Sequence, residues 1–149
     1  MADVLYLDDL RIGDTFRTEA HALDVDQVTS FARQFDPQPF HLDDGAAAQS
    51  IFAGLAASGW HTAAVTMRLL VTSGPRLAGG IIGASVKLDW KLPTRPTDVL
   101  HVESEVVEVT PSRSRPDRGA VVLRSDTLNQ DGKVVQTMTA TLMVLRRPT

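Results

Sequence analysis

The sequence predicts an α+β fold in which an antiparallel sheet of about five strands wraps one long apolar helix. Three observations lead there. Helical patterning is confined to the first half of the 149 residues and strand patterning to the second, the segregation that α+β architectures show. Runs rich in Val, Thr, Leu and Ile follow residue 80, parted by Pro, Gly, Ser and Asp clusters. Gly59 to Thr72 is the one helical stretch apolar on nearly every side, so it is the one a sheet of that width can cover.

Taken in order, Thr15 to Ala22 reads as a strand. The first helix opens on a capping box, with Asp24 as N-cap and Gln27 three residues on. Val28, Phe31, Ala32 and Phe35 then recur at helical spacing and make one apolar face. Pro37 and Pro39 end it, because neither ring permits an interior helical hydrogen bond. Asp43 to Ser50 is Ala-rich and reads as a small helix. The long helix takes Ser58 as N-cap and Gly74-Pro75 as its stop. Strands are expected over residues 80–92, 99–110, 119–129 and 133–146. In the last, Met138, Ala140, Leu142 and Val144 alternate with Thr137, Thr139, Thr141 and Met143, which turns one face toward a core. Asp131-Gly132 reads as the tight turn before that strand.

The length suits one domain spanning residues 1–149. The chain has no cysteine, which excludes disulfides, thiolate metal sites and cysteine nucleophiles. Fifteen basic against eighteen acidic side chains give a formal net charge of -3, without the cation excess that phosphate neutralisation demands, so no nucleic-acid partner is expected. The first residues, Met1 to Asp9, show neither a basic start nor a long apolar run, and the expected location is cytoplasmic. Ile51 to Thr72 is long enough to invite a membrane reading. Ser58, Gly59, His61, Thr62, Thr66 and Arg68 interrupt it, which suits a helix inside a folded domain, so no membrane partner is expected.

The most informative segment is Phe35-Asp36-Pro37-Gln38-Pro39-Phe40-His41-Leu42-Asp43. Asp36 and His41 stand five residues apart, and the prolines forbid a helix between them. An extended path would part their α-carbons by up to roughly 17 Å, so they meet only if the loop curls. The prolines stiffen that loop, which suits a catalytic pair. An arbitrary Asp and His this far apart would more often be a connector's cap and a satisfied polar residue. The second segment is Ala57-Ser58-Gly59-Trp60-His61-Thr62 at the start of the long helix. Its first N–H groups lack intrahelical partners and carry the positive end of the helix dipole, so the terminus can stabilise an oxyanion, and a glycine at 59 admits close approach. A Ser-Gly helix start is also ordinary capping; it gains weight beside the first segment.

Together, Asp36-Pro37-Gln38-Pro39-Phe40-His41 resembles the D-x-N-P-x-H signature of the MaoC-like dehydratases and (R)-specific enoyl-CoA hydratases. Ala57-Ser58-Gly59-Trp60-His61, the strand carrying Lys91-Leu92-Pro93 and the sheet-rich second half follow in that family's order. The resemblance implies a hot-dog fold, assembled as a homodimer or a higher homo-oligomer. It implies reversible hydration of a trans-2-enoyl thioester, equally the dehydration of an (R)-3-hydroxyacyl thioester, on a coenzyme A or acyl-carrier substrate. Asp36 and His41 are implied to hold a water and exchange protons with the substrate, without a metal or other cofactor. Gly59, with Ser58 and Trp60 beside it, is implied to bind the thioester carbonyl oxygen, and Gln38 and Pro39 to support the loop. Which of Asp36 and His41 takes the water proton stays open. Two positions depart from the pattern. Gln38 replaces the usual Asn, and Ala64 stands where several relatives carry a serine that orients the aspartate, with Thr62 and Thr66 the nearby substitutes.

The other candidates read blandly. His61 is structural or pocket-lining, and His21 and His101 are solvated strand residues. His41, Asp43, Asp44 and His61 lack recognised ligand spacing for a metal, and no G-x-S-x-G elbow supports a Ser58-His61-Asp36 triad. Arg113, Arg115 and Arg118 read as a solvated hairpin tip, with contact to carrier phosphates the sharper alternative. Arg68, alone in charge on the long helix, must snorkel, pair or meet a second subunit. Two competing functions remain: a hot-dog acyl-thioesterase, disfavoured because Gly59 to Thr72 holds no Asp or Glu, and a non-catalytic acyl-thioester binding protein, favoured by Ala64.

Overall fold

Thr, Val and Leu alternation after residue 80 produces four long strands, and their pairing sets where everything else can sit. The computed structural model of the protein describes residues 3–149. The elements run β1 (Thr15–Arg17), β2 (His21–Ala22), α1 (Val25–Phe35), α2 (Asp44–Ala48), α3 (Gly59–Ser73), β3 (Ile82–Trp90), β4 (Val99–Pro111), β5 (Arg118–Leu128) and β6 (Val134–Leu145). The six-stranded antiparallel sheet has the order β1-β4-β5-β6-β3, and β2 pairs with β4 beyond that path. One strand more than expected arises because Thr15 to Ala22 is not continuous. Thr18 turns its hydroxyl back on Glu19 and takes the Val102 N–H, and β1 and β2 form on either side of it.

Alternation places Val121, Leu123, Ser125 and Thr127 of β5 on the buried face, toward α3. Leu100 and Val102 of β4 and Val135 of β6 close on Val65, Leu69 and Leu70 of α3. A further cluster, built on Leu7, Val106, Val121 and Leu142, fills the far end of the sheet. Hydroxyls and one amide stitch helix to sheet. Thr66 Oγ1 lies 2.6 Å from Thr127 Oγ1, and the fully buried Gln136 donates to Thr66 Oγ1 at 3.0 Å. Buried polar groups so paired fix the helix's rotation about its axis more narrowly than apolar packing would.

Several expectations are corrected. Asp24 caps α1 by accepting the Gln27 N–H, but the Gln27 side chain turns to His21 Nε2 and the Ala22 carbonyl, so the reciprocal half of the box is missing. Val28 and Ala32 are fully buried while Phe35 is 68% exposed; packing uses the middle of the predicted stripe, and the Phe35 ring meets that of Phe31. His21 and His101 are half-buried, not simply solvated, and bond Gln27 and Glu103. The long helix is not covered all round. Trp60, Ala64, Met67, Arg68 and Val71 form an exposed stripe along α3, and Val86 and Trp90 are exposed on β3, whose outer edge has no partner strand among the described residues. Among the described residues no helix is long and apolar enough to cross a membrane.

Candidate active site

Proline chemistry shapes the loop after α1. Asp36 caps the helix, its N–H still bonded to the Ala32 carbonyl. Pro39, with φ already set for a helical turn, starts one turn of 3-10 helix over Pro39–His41, closed by the His41 N–H on the Gln38 carbonyl. That turn supplies the curl the spacing required: His41 Nε2 lies 3.2 Å from Asp36 Oδ2. His41 is 4% exposed, and its Nδ1 lies 2.6 Å from the Ala56 carbonyl. A carbonyl only accepts, so Nδ1 carries a proton, and the other nitrogen is the one that faces the carboxylate.

Both oxygens of Asp36 are served. Ser58 Oγ donates to Oδ2 at 2.7 Å and Gln38 Nε2 donates to Oδ1 at 2.6 Å. Burial works to raise the Asp36 carboxyl, but the Ser58 hydroxyl, the Gln38 amide and the neighbouring His41 outweigh it and hold it below the ordinary carboxylate value. Ser58 also accepts the Trp60 N–H as N-cap of α3. One buried hydroxyl therefore ties the end of α1 to the start of α3.

The partner that Ala64 does not supply is thus Ser58. Ala64 lies on the exposed stripe, Thr62 Oγ1 is bonded to Thr94 and Thr66 Oγ1 to the Thr62 carbonyl, Thr127 and Gln136, so neither threonine serves Asp36. The hydroxyl of Ser58 faces the carboxylate instead of standing beside Gly59 as an oxyanion donor. Gly59 begins α3, and its N–H meets no protein acceptor among the described residues, as expected of the first helical position. Its α-carbon is covered by the Trp90 indole: a Cβ built at 59 would sit 2.6 Å from Trp90 Cε2, and Trp90 Nε1 donates to the Gly59 carbonyl and to Gln136 Oε1 at 3.0 Å each. Glycine is required at 59 by the indole, in addition to any substrate.

A cavity of about 350 Å³ opens between these elements. His41, Gly59 and Gln38 line it together with Phe40, Phe52 and Trp90, and Thr62 and Thr94 add two buried hydroxyls. Trp60 does not line it; it is 59% exposed and meets Trp90 edge to face at 5.4 Å. His61 faces α1, its ring stacked on Phe31 at 4.7 Å, with Nδ1 buried and unpartnered. Arg113, Arg115 and Arg118 lie at the other end of the sheet: the register that sets Trp90 opposite Gln136, and Gln136 opposite Thr127, leaves nine residues at about 3.3 Å each, roughly 30 Å, between the cavity end and Arg118. Arg118 is engaged with Asp117. Sequence reasoning missed Trp90, Thr94, Phe40 and Phe52 as cavity residues. Phe40 stands within the Asp36–His41 segment and Trp90 and Thr94 flank Lys91-Leu92-Pro93, but nothing local marks that the fold brings these two segments and Phe52 to one cavity.

The MaoC-like domain family matches residues 9–127. The chain belongs to that family. As a MaoC-like domain it is similar to the MaoC-like dehydratase of Rhodospirillum rubrum, whose crystal structure superposes with a TM-score of 0.95 at 60% identity, covering 97% of this chain and 99% of that one. The (R)-hydratase PhaJ1 of Pseudomonas aeruginosa superposes with a TM-score of 0.75 at 27% identity, over 95% and 86% of the two chains. The 3-hydroxybutyryl-CoA dehydratase of Methylorubrum extorquens is 31% identical over 133 residues, 89% of this chain and 83% of that protein. The architecture, a curved antiparallel sheet on a central helix, is the hot-dog fold.

Proposed function

We propose that this MaoC-like domain, acting as one unit over residues 1–149, is a lyase that reversibly hydrates a trans-2-enoyl thioester on coenzyme A or an acyl carrier. One observation carries the reading: His41, paired with Asp36 on a proline-stiffened loop, lines the same cavity as Gly59, the first residue of a helix whose N–H has no protein acceptor among the described residues. The hydratase and dehydratase named among its relatives support the same chemistry.

The geometry suits the bond changes. Water lodged at Asp36 and His41 loses a proton to the pair as its oxygen bonds to C3 of the enoyl group. The π electrons move to C2 and onto the thioester oxygen, where the Gly59 N–H and the helix dipole meet the charge. The pair's proton then passes to C2, and the 3-hydroxyacyl thioester leaves with its thioester bond intact. Dehydration runs the same steps backward. Gln38 and Ser58 keep Asp36 oriented and ionised between turnovers. Such a substrate belongs to the cytoplasm, where acyl thioesters are made and used.

The reading includes a homodimer. β3 offers an open edge, and Trp60, Val71, Val86 and Trp90 beside it leave apolar surface that monomeric proteins seldom expose in one tract. Pairing of two β3 edges about a twofold axis would cover it.

The test is to incubate the protein with short trans-2-enoyl-CoA esters and follow the conjugated enoyl absorbance and free thiol in the same sample. Loss of absorbance without thiol is expected. Thiol release would make it a thioesterase, and silence in both would leave an acyl-thioester binding protein.

A further inference from the structure

Thr94 lies between β3 and β4, 4% exposed, and lines the cavity. Its Oγ1 accepts the hydroxyl of Thr62, itself 2% exposed, at 2.9 Å. A hydroxyl carries one proton as well as its lone pairs, so with Thr62 donating, the Thr94 proton is still to be placed. No acceptor for it exists among the described residues. The cavity residues nearest in sequence, Leu92 and Pro93, are apolar, as is Ala57, whose N–H holds the Thr94 carbonyl at 2.8 Å. A donor held at such depth without an acceptor is unfavourable unless something entering the cavity supplies one.

The direction of approach narrows what that is. His41 Nδ1 bonds the Ala56 carbonyl, and the Thr94 carbonyl takes the Ala57 N–H. These two groups belong to one peptide unit, and in a trans peptide they point opposite ways. The His41 ring and the Thr94 backbone therefore lie on opposite sides of the Ala56–Ala57 peptide, with His41 Nδ1 and the Thr94 carbonyl about 7 Å apart by ordinary bond and hydrogen-bond lengths. The reacting water belongs to the His41 side.

We propose that Thr94 is a specificity-determining residue, which donates its hydroxyl proton to an oxygen carried by the acyl chain, so that the preferred substrate is a short oxygenated enoyl thioester over a plain hydrocarbon one. This rests on the hydratase reading above. A cavity of about 350 Å³ stands at the small end of ligand pockets, which suits a short chain.

The experiment compares kcat/KM for trans-2-pentenoyl-CoA, 4-hydroxy-trans-2-butenoyl-CoA and 5-hydroxy-trans-2-pentenoyl-CoA, in the wild type and in Thr94→Val, which keeps the shape. Wild type favours at least one hydroxylated ester over pentenoyl by about tenfold or more, since the hydrocarbon leaves the buried donor unmet. Thr94→Val removes that preference, with kcat/KM falling further on the favoured hydroxylated ester than on pentenoyl-CoA. Equal wild-type rates on all three overturn the proposal and leave the hydratase reading standing. So does an equal fall on all three in the variant, the sign of a helix tie or a water-holding group, with Tm recorded alongside. Hydration of none overturns the underlying reading and the proposal with it.

Discussion

Ser58 Oγ donates to Asp36 Oδ2 at 2.7 Å while accepting the Trp60 N–H, so one hydroxyl both caps the central helix and holds the carboxylate at its entrance. The two roles separate by substitution. Ser58→Ala loses both, at about 1 kcal/mol for the cap. Ser58→Gly loses the hydroxyl, but glycine is nearly as good a cap, so the cap term falls to a few tenths of a kcal/mol. Both variants are expected to lose hydratase rate to a similar extent and differ in Tm. Equal Tm values would show that the cap contributes nothing.

Asp36→Asn keeps size and removes the ionisable group. Hydration is expected to fall about 10²- to 10⁴-fold, the range for loss of a proton-transfer group, with a modest fall in Tm because one amide oxygen cannot accept from both Ser58 and Gln38. Circular dichroism melts run beside the assay; a large fall in Tm would assign Asp36 a structural role.

Gly59→Ala forces a Cβ to 2.6 Å from the Trp90 indole. Overpacking of that kind costs about 1–3 kcal/mol. Trp90→Leu in the same chain makes room, so the double variant should lose less stability than the sum of the singles. Additive losses in urea melts would mean that Trp90 does not confine residue 59.

His61 gives the stability a pH dependence. Burial, and then the nearby His21, hold its pKa below the ordinary 6.5. As pH falls through 6.5 the unfolded chain takes up a proton that the folded His61 refuses, so stability present above 6.5 declines until the folded-state pKa is passed. Asp36 acts lower: its carboxyl is held below 3.8, so its contribution is lost only as pH falls beneath that value. Melts from pH 7.5 to 5 should show a falling Tm in the wild type and a shallower fall in His61→Phe, which keeps a ring on Phe31. Parallel curves would clear His61.

Val86, 54% exposed, is central on the open β3 edge. A charge there blocks edge pairing, so Val86→Lys should convert a dimer to a monomer in size-exclusion chromatography with light scattering. A wild type that already runs as a monomer would refute the dimer.

What the sequence revealed was local, and what it hid was not. The period-two run from Thr137 to Val144 and the capping Ser58 report directly on strand and helix because each depends on near neighbours. Asp36 and His41 stand out because both lie on one short loop and within the stretch that resembles the family signature. The Ser58–Asp36 bond spans 22 positions, and the Trp90 contact with Gly59 spans 31; both depend on how α1, α3 and β3 dock, which no local pattern encodes. The exposed stripe on α3 was unreadable for a different reason. An apolar face looks the same in sequence whether it meets its own sheet or another subunit.

The most direct test of the central claim uses ¹⁸O-labelled water. A short trans-2-enoyl-CoA incubated with the protein should yield an intact thioester carrying one labelled hydroxyl at C3, at a rate that Asp36→Asn lowers about 10²- to 10⁴-fold. Label appearing in a free carboxylic acid, or no labelled thioester from any short enoyl ester, would contradict it.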